Sequence, residues 1–247
     1  MLLSLEHLSS DALRTAAADA LLVVPLGATE QHGRHLPTGT DTMLVTAVAE
    51  RAARQARATV VLAPSLPIGS SDHHVGIGPT LSVSWETLAR MLQDVLTSAV
   101  ASGFSRIMLL NGHGGNDAVV HEVATERSRV LGVEVARACY WDFLDASDRM
   151  PHTPGHAGAF EASLMLVVAP ELVRLDRAEA PLRDPDELFG GPPWVERRSN
   201  WVELGGVSDD ATAATEAQGR ALLDRVVLRL AAAFDTLAGP SAAAGPA

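Results

Sequence analysis

Short apolar runs alternate along the chain with amphipathic stretches. The runs predict strands at residues 21–26, 60–63, 106–110 and 133–140. The stretches between and after them carry apolar residues three or four positions apart, which predicts helices at residues 43–57, 85–102, 117–131, 157–169 and 211–237, with a shorter one from Ser9 or Ser10 to residue 18. The run at 106–110 has no polar interior, as expected of a central parallel strand covered on both faces. The pattern therefore predicts an α/β fold around a mostly parallel sheet.

The size and composition of the chain are typical of one folded domain. The chain has 247 residues, 47% of them hydrophobic, so it can bury a sizeable core, and we expect a single domain over residues 1–238. Residues 239–247 are rich in Ala, Gly and Pro, which predicts a disordered tail. Residues 170–206 form a looser stretch rich in Pro, Arg and Asp, which predicts loops that cover the site or pack against a neighbouring subunit.

Charge and cysteine content exclude several classes of function. The formal net charge of -11 disfavours a nucleic-acid partner or an anionic membrane surface, because phosphates would be repelled. The single cysteine, Cys139, excludes an internal disulfide framework and a cysteine zinc site. The N-terminus shows no signal-peptide pattern, and no apolar run is long enough to span a bilayer. We therefore expect a soluble, cytoplasmic protein.

The loop after the first apolar run carries the first candidate chemistry. Glu30 and His32 are two positions apart, so their side chains leave an extended backbone on the same face. Asp41 stands at the start of the next predicted helix. Each of these residues alone is more often a solvated loop residue or a helix cap than a ligand. Together, their carboxylate and imidazole groups predict a site for Zn²⁺, Mn²⁺ or Fe²⁺.

A second polar turn, with the sequence NGHGGN, follows the strand at 106–110. Its glycines let the backbone turn sharply and leave His113 accessible, and Asn116 is expected to cap the next helix. The turn lacks the lysine and hydroxyl of a P-loop and the spacing of a dinucleotide fingerprint. The irregular segment at residues 65–82 contains His73 and His74, which are candidates for one wall of the same site.

Two further groups come later in the chain. His156 precedes a strongly apolar predicted helix, and Glu161 lies near the start of that helix, where a carboxylate is costly unless it is exposed, paired or metal-bound. Trp141 follows the strand at 133–140, where an indole can pack over a flat substrate. Loops at one edge of a parallel sheet bring such groups together, and their number exceeds the needs of one structural zinc. The sequence therefore predicts two metal ions.

Three segments resemble the creatininase (creatinine amidohydrolase) family: PLGATEQHGRHLPTGTD, LLNGHGGN, and YWDF followed by GHAGAFEAS. The resemblance implies a three-layer α/β/α sandwich, a binuclear metal centre and hydrolysis of a C–N bond. By position it implies catalytic roles for His156, as the acid/base, and for Glu161, and a bridging role for Asp41. The metal ligands that it implies are Glu30, His32, Asp41, His113 and Glu161. Zn²⁺ is expected, with Mn²⁺ or Fe²⁺ as alternatives, and the family is typically a homohexamer.

The resemblance also implies a substrate pocket, with differences from creatininase itself. The implied substrate contacts are Ser71, His74, Gly114, Trp141 and His152. Gly115 occupies the place of a ligand glutamate, and we expect Glu161 to be the fifth ligand instead. His152 replaces a substrate tryptophan. The usual FPGT of the substrate loop is here Ile77-Gly78-Pro79-Thr80.

The resemblance implies an amidohydrolase that cleaves a small cyclic amide, creatinine or a related compound. A hydroxide held between two ions would attack the carbonyl carbon, and His156 would donate a proton to the departing nitrogen. One alternative is a biosynthetic member of the family, either a pyrimidine-ribotide deformylase or a peptidase of the mycofactocin precursor. A phosphorylated substrate would need a basic pocket, for which Arg34 is the nearby candidate. An alternative of another class is a metal-binding subunit without activity.

Overall fold

The structure is a computed structural model that describes residues 1–150, 152–189, 197 and 199–239. The predicted disordered tail at 239–247 therefore falls, apart from Gly239, outside the described residues. Within the described part of the chain, no helix is both long and apolar enough to cross a membrane.

Among the described residues, five parallel strands form one sheet in the order β1-β3-β2-β4-β5. They are β1 (Leu2–Ser4), β2 (Leu21–Leu26), β3 (Val60–Leu62), β4 (Arg106–Asn111) and β5 (Glu134–Cys139). All six residues of β2 are buried, as expected for a strand with neighbours on both sides and helices on both faces. β1 was not predicted, because three residues are too few to show a period; it pairs with β3 at the sheet edge.

Helices cover both faces of this sheet. They are α1 (Ser10–Ala17), α2 (Thr40–Gln55), α3 (Trp85–Ala101), α4 (Asp117–Leu131), α5 (Ala159–Val168), α6 (Pro185–Phe189), α7 (Asn200–Leu204) and α8 (Glu216–Leu237). Alternate residues of β2 serve the two faces. Leu21 and Val23 pack with α2, α5 and α8, whereas Leu22 and Val24 pack with α1, α3 and α4. The predicted three-layer α/β/α sandwich with a parallel sheet is confirmed.

Several element boundaries differ from the prediction. α2 begins at Thr40, so Asp41 lies inside its first turn, and α8 begins at Glu216, after a short 3-10 turn at Ala211–Ala213. The stretch at 170–206 was predicted as loops, yet it contains α6 and α7. These helices have five residues each, which is too short to leave a periodic signal in the sequence.

The carboxyl ends of β2 and β4 lie next to the start of α2. Gly112, directly after β4, is a point of close approach: a Cβ there would lie 2.7 Å from Val45 Cβ and 3.0 Å from the Asp41 carbonyl oxygen. Because no side chain fits between them, the turn after β4 packs directly on the first turn of α2. This contact places the polar turn after β4 beside the polar loop after β2.

Candidate metal centre

Six side chains from four parts of the chain meet at this edge of the sheet. The loop after β2 supplies two, the first turn of α2 one, the turn after β4 one, and the start of α5 two. They are Glu30, His32, Asp41, His113, His156 and Glu161, each at most 6% exposed. Because buried carboxylates are costly without a partner, this concentration of charge requires compensation.

His32, Asp41 and Glu161 form one group. The His32 Nδ1–H donates to the Glu30 carbonyl oxygen at 3.1 Å, which leaves the lone pair of Nε2 directed into the site. That Nε2 lies 3.0 Å from Asp41 Oδ1 and 3.7 Å from Glu161 Oε2. One ligand atom from each of these three residues lies within 4.8 Å of the others, so the three are able to bind one ion.

Glu30 and His113 form a second group on the other side of Asp41. The His113 Nε2–H donates to the Ser70 carbonyl oxygen at 3.0 Å, so Nδ1 is directed into the site. This Nδ1 is 3.4 Å from Glu30 Oε1 and 3.2 Å from Asp41 Oδ2. The two oxygens of Asp41 therefore face different imidazoles, as a carboxylate shared between two ions would.

Two asparagines hold the turn that carries His113. The Asn111 side chain accepts from the His113 backbone N–H at 3.1 Å and donates to its carbonyl at 2.7 Å. Asn116 does not cap α4 as predicted. Its buried amide instead donates to the Gly27 carbonyl at 3.1 Å and accepts from the Ser70 N–H at 2.9 Å. The strand-end loops after β2 and β4 and the segment at 65–82 are thus joined through one side chain.

The start of α5 is held in a similar way. The Glu161 carboxylate accepts from the Ala157 N–H at 2.6 Å, and Asp209 accepts from the Ala159 N–H at 3.1 Å. Ala157 has a φ of 54°, a left-handed conformation that non-glycine residues adopt at some cost. The backbone turn at Ala157 lets His156 and Glu161 approach the site from the same end of the helix.

The unpartnered atoms of the cluster fit metal ions. Glu30 Oε1, Glu30 Oε2 and Asp41 Oδ2 are buried and accept no hydrogen bond from the residues that the structure describes. Burial raises the pKa of Glu30 from 4.5 to about 7, with His113 opposing the rise. A divalent cation would pair with these oxygens and with the free imidazole nitrogens of His32 and His113, which is the donor set of zinc and manganese sites.

The imidazole pKa values divide into two classes. Burial opposes charge on His32 and His113, but the nearby carboxylates together outweigh it and raise both pKa values, that of His113 to about 9. Asp41 contributes at both imidazoles, with Glu161 at His32 and Glu30 at His113. Without a metal ion, a proton on each of these two imidazoles balances the carboxylate charge that a cation would otherwise balance. Burial, together with the neighbouring His32, holds the pKa of His156 well below its usual range, and burial with His73 lowers that of His74 to about 2. His74 and His156 are therefore neutral at physiological pH.

Gln31 sets the orientation of the two neutral histidines. Its amide Nε2 donates to His74 Nδ1 at 2.9 Å and to the Gly206 carbonyl at 2.8 Å, and its Oε1 accepts from the Gly33 N–H at 3.0 Å. The His156 Nε2–H donates to the Gln31 backbone carbonyl at 2.8 Å, which leaves its Nδ1 unprotonated and 3.4 Å from Glu30 Oε1. The Nδ1 atom of His156 is thus a base that faces the cluster.

A cavity of about 140 Å³ lies over these groups. Trp141 and Trp201 line it, together with the three carboxylates of the cluster, His156 and residues 112–115. The Trp201 ring centroid lies 4.6 Å from that of His74 and 5.3 Å from that of His156. The cluster is therefore the floor of a small pocket with indole walls.

The five predicted substrate contacts fall in different places. His74, Gly114 and Trp141 line the cavity, as a substrate contact would. Ser71 is buried behind it, with its hydroxyl 3.3 Å from His113 Nε2, so it contacts a cluster residue instead. His152 is exposed, has a φ of 56° and lies outside the set of described residues that line the cavity.

Sequence reasoning missed Gln31 and Trp201. Alternation along an extended chain would direct the Gln31 side chain away from those of Glu30 and His32. Because the loop after β2 is irregular, the Gln31 side chain instead lies among the histidines. Trp201 comes from α7, 45 residues after His156, and no motif marks it. The prediction that the stretch at 170–206 covers the site agrees with this placement.

The chain was compared with known proteins. A family model described as "Creatinine amidohydrolase" matches residues 6–234. The chain belongs to the creatininase family. This creatininase-family chain is 36% identical over 184 residues to creatinine amidohydrolase of Pseudomonas putida, covering 66% of this chain and 70% of that protein. It is 33% identical over 228 residues to mycofactocin precursor peptide peptidase of Mycobacterium tuberculosis (strain CDC 1551 / Oshkosh), covering 85% and 84%.

A solved structure has the same fold. The structure described as "Creatininase Mn" matches with a TM-score of 0.82 and 27% identity, over 97% of this chain and 100% of that one. The predicted family is confirmed, and the chain is a creatininase-family hydrolase. The family's members named above act on different substrates, so membership alone leaves the substrate open.

Proposed function

We propose that this chain is a metal-dependent amidohydrolase that cleaves the C–N bond of a small cyclic amide, creatinine or a related compound. The observation that carries the proposal is the Asp41 carboxylate between two ligand groups, beneath a cavity of about 140 Å³. Glu30 and His113 lie on one side of it and His32 and Glu161 on the other. Zn²⁺ is the ion we propose first, with Mn²⁺ next, as the similar creatininase structure is described with Mn.

The chain's own residues supply binding and proton transfer. When bound, divalent ions lower the pKa of water and polarise a carbonyl oxygen. His156 Nδ1, unprotonated and facing Glu30, is placed to take a proton from the attacking water. The same nitrogen then gives that proton to the amide nitrogen as the C–N bond breaks. Trp141 and Trp201 form walls on either side of the substrate ring and exclude bulk water.

The walls of the cavity favour a small uncharged substrate over a phosphorylated one. Arg34, the cation named from the sequence for a phosphate, pairs with Glu179 at 3.0 Å, and both side chains are exposed. The described residues that line the cavity include no lysine or arginine. Apart from the proposed metal ions, which the scissile amide would occupy, the described lining therefore offers a ribotide phosphate no cationic side chain, which disfavours the deformylase alternative.

A second candidate is cleavage of a peptide. It is favoured by the mycofactocin precursor peptide peptidase, which matches 85% of this chain against 66% for creatinine amidohydrolase. It is disfavoured by the indoles of Trp141 and Trp201 at the cavity, because an extended peptide needs an open groove. We place it second because the shape of the cavity determines directly which substrate fits. The share of the chain that matches a relative reflects common ancestry and not the substrate.

The test is a substrate panel with the metal-loaded protein. The panel contains creatinine, other five- and six-membered cyclic amides, N-formyl amides and a short peptide ending in hydrophobic residues. We expect turnover confined to cyclic amides. His156→Ala should keep its metal and lose turnover, whereas His121→Ala, which removes an exposed histidine from α4, should keep both. Turnover of the peptide alone would replace the first candidate by the second, and no turnover would favour an inactive metal-binding subunit.

Assembly and domain structure are part of the proposal. We propose a homohexamer, as the family resemblance implies, built from one domain over residues 1–238. Sedimentation velocity of the metal-loaded protein measures the number of subunits in the assembly. A single cooperative unfolding transition is the result expected of one domain.

A further inference from the structure

A histidine outside the predicted ligand set lies within reach of the second ligand group. One ligand atom each from Glu30, His73 and His113 lies within 4.8 Å of the others. The His73 ring is nearly parallel to that of His113, with an interplanar angle of 5° and ring centroids 5.7 Å apart. His73 also lines the cavity. Sequence reasoning gave it only as a candidate wall.

The surroundings of Gly115 show that His73 fills the space beside His113. A Cβ at Gly115 would lie 2.9 Å from His73 Cε1, 2.5 Å from His113 Nε2 and 2.3 Å from the Ser70 carbonyl oxygen. Contacts below 3.0 Å with a backbone oxygen cannot be relieved by a rotamer change. The turn after β4 thus leaves this side of the site to a residue from another loop.

The 3-10 turn that carries His73 is anchored on both sides. The Ser82 hydroxyl donates to Asp72 at 2.7 Å and accepts from the Ser71 N–H at 2.8 Å. On the other side, the Ser70 N–H donates to the buried Asn116 side chain at 2.9 Å. A ligand held by fixed neighbours loses little freedom on binding, which favours metal affinity.

We infer that His73 is a metal ligand, which completes with Glu30 and His113 the ion site on that side of Asp41. This rests on the proposed binuclear function and changes its ligand set: Glu161 then serves the other ion, with His32 and Asp41, and His73 supplies the ligand that Gly115 does not. The alternative is that His73 only packs against Trp201, whose ring centroid is 5.7 Å away, as a wall for substrate.

The experiment compares His73→Phe, His73→Asp and His121→Ala with the unsubstituted chain. Phenylalanine keeps a planar ring against His113 and Trp201 but has no lone pair, and aspartate restores a ligand oxygen. Metal content is measured by elemental analysis after dialysis against limiting Zn²⁺, and the visible spectrum is recorded after exchange with Co²⁺. We expect His73→Phe to lose about one of two ions, with an affinity at least tenfold weaker at that site, and a changed Co²⁺ spectrum.

Two control variants test whether a loss of metal in His73→Phe is caused by the loss of a ligand atom. His73→Asp should recover part of the lost metal, and His121→Ala should match the unsubstituted chain. Full metal content and an unchanged Co²⁺ spectrum in His73→Phe would overturn the inference and leave the binuclear proposal standing. Failure of the unsubstituted chain to bind metal would instead overturn the proposed function on which the inference rests. Circular dichroism of each variant confirms that the fold is retained.

Discussion

Replacing Glu30 by glutamine tests whether the cluster is built for a cation at the expense of stability. Burial raises the pKa of Glu30 from 4.5 to about 7, so the metal-free native state holds its proton over a range where the unfolded state has lost it. The stability that this proton provides is complete below pH 4.5 and is lost as the pH rises through 7. Glutamine imitates the protonated carboxyl at every pH.

The expected size follows from the two pKa values. At about 1.4 kcal/mol for each pKa unit, the difference between 4.5 and about 7 corresponds to about 3 kcal/mol. Metal-free Glu30→Gln should therefore match the metal-free unsubstituted chain at pH 4.5 and exceed its free energy of unfolding by about 3 kcal/mol at pH 8. Zn²⁺ at 1,000 times its dissociation constant should reverse the order, because a ligand in that excess adds about 4.1 kcal/mol to the chain that binds it.

The assay is urea unfolding of chelator-treated protein at pH 4.5 and pH 8, repeated at pH 8 with Zn²⁺. His121→Ala serves as a control for the handling of the apo protein, since its side chain is exposed on α4. The reasoning is refuted if the difference between Glu30→Gln and the unsubstituted chain is the same at both pH values. Such a result would mean that hydrogen-bond donors, and not a cation, already stabilise the negative charge of the Glu30 carboxylate.

Three further substitutions test a support of the site, the cavity wall and the core on the opposite face of the sheet. Gly158→Ala should lower the free energy of unfolding by about 1–3 kcal/mol in urea titrations. The reason is that the new Cβ would lie 1.1 Å from the Asp209 oxygen that accepts from the Ala159 N–H at the start of α5. An unchanged unfolding midpoint would show that Asp209 moves aside without cost. Trp201→Ala should raise KM for a cyclic amide while metal content stays constant, and a loss of metal would contradict its place in the wall. Leu92→Ala, buried on α3 on the opposite face, should cost about 2–5 kcal/mol by chemical unfolding yet leave the metal content of the folded protein unchanged.

The fold was predictable where the hydrophobic pattern is long and regular. β2 and β4 are continuous apolar runs, and α3 and α4 have complete apolar stripes, so their periods identify them. β1 and α7 were missed because three and five residues contain less than a full pattern. Asn116 was assigned to a cap because sequence position alone suggested one, whereas its amide bonds to Gly27 and Ser70 come from loops far apart in the chain.

The candidate site was predictable to the extent that its residues sit in recognisable turns. Glu30, His32 and His113 follow β2 and β4 directly, and strand ends in parallel sheets are where such groups gather. Gln31 and Trp201 escaped because their roles depend on how the irregular loop after β2 and helix α7 fold back over the cluster. His73 differs again: its residue type was evident, but only the packing against Gly115 places it beside Glu30 and His113.

The central claim is that the buried carboxylates and imidazoles around Asp41 hold two metal ions. The most direct measurement is the number of ions bound per subunit at saturation, by equilibrium dialysis with elemental analysis, for the unsubstituted chain and Asp41→Asn. The account predicts about two Zn²⁺ per subunit, and in Asp41→Asn weaker binding at both positions, because Asp41 faces His32 with one oxygen and His113 with the other. Saturation at one ion or none in the folded chain, or loss of a single ion in Asp41→Asn with the other bound as tightly as before, would contradict it.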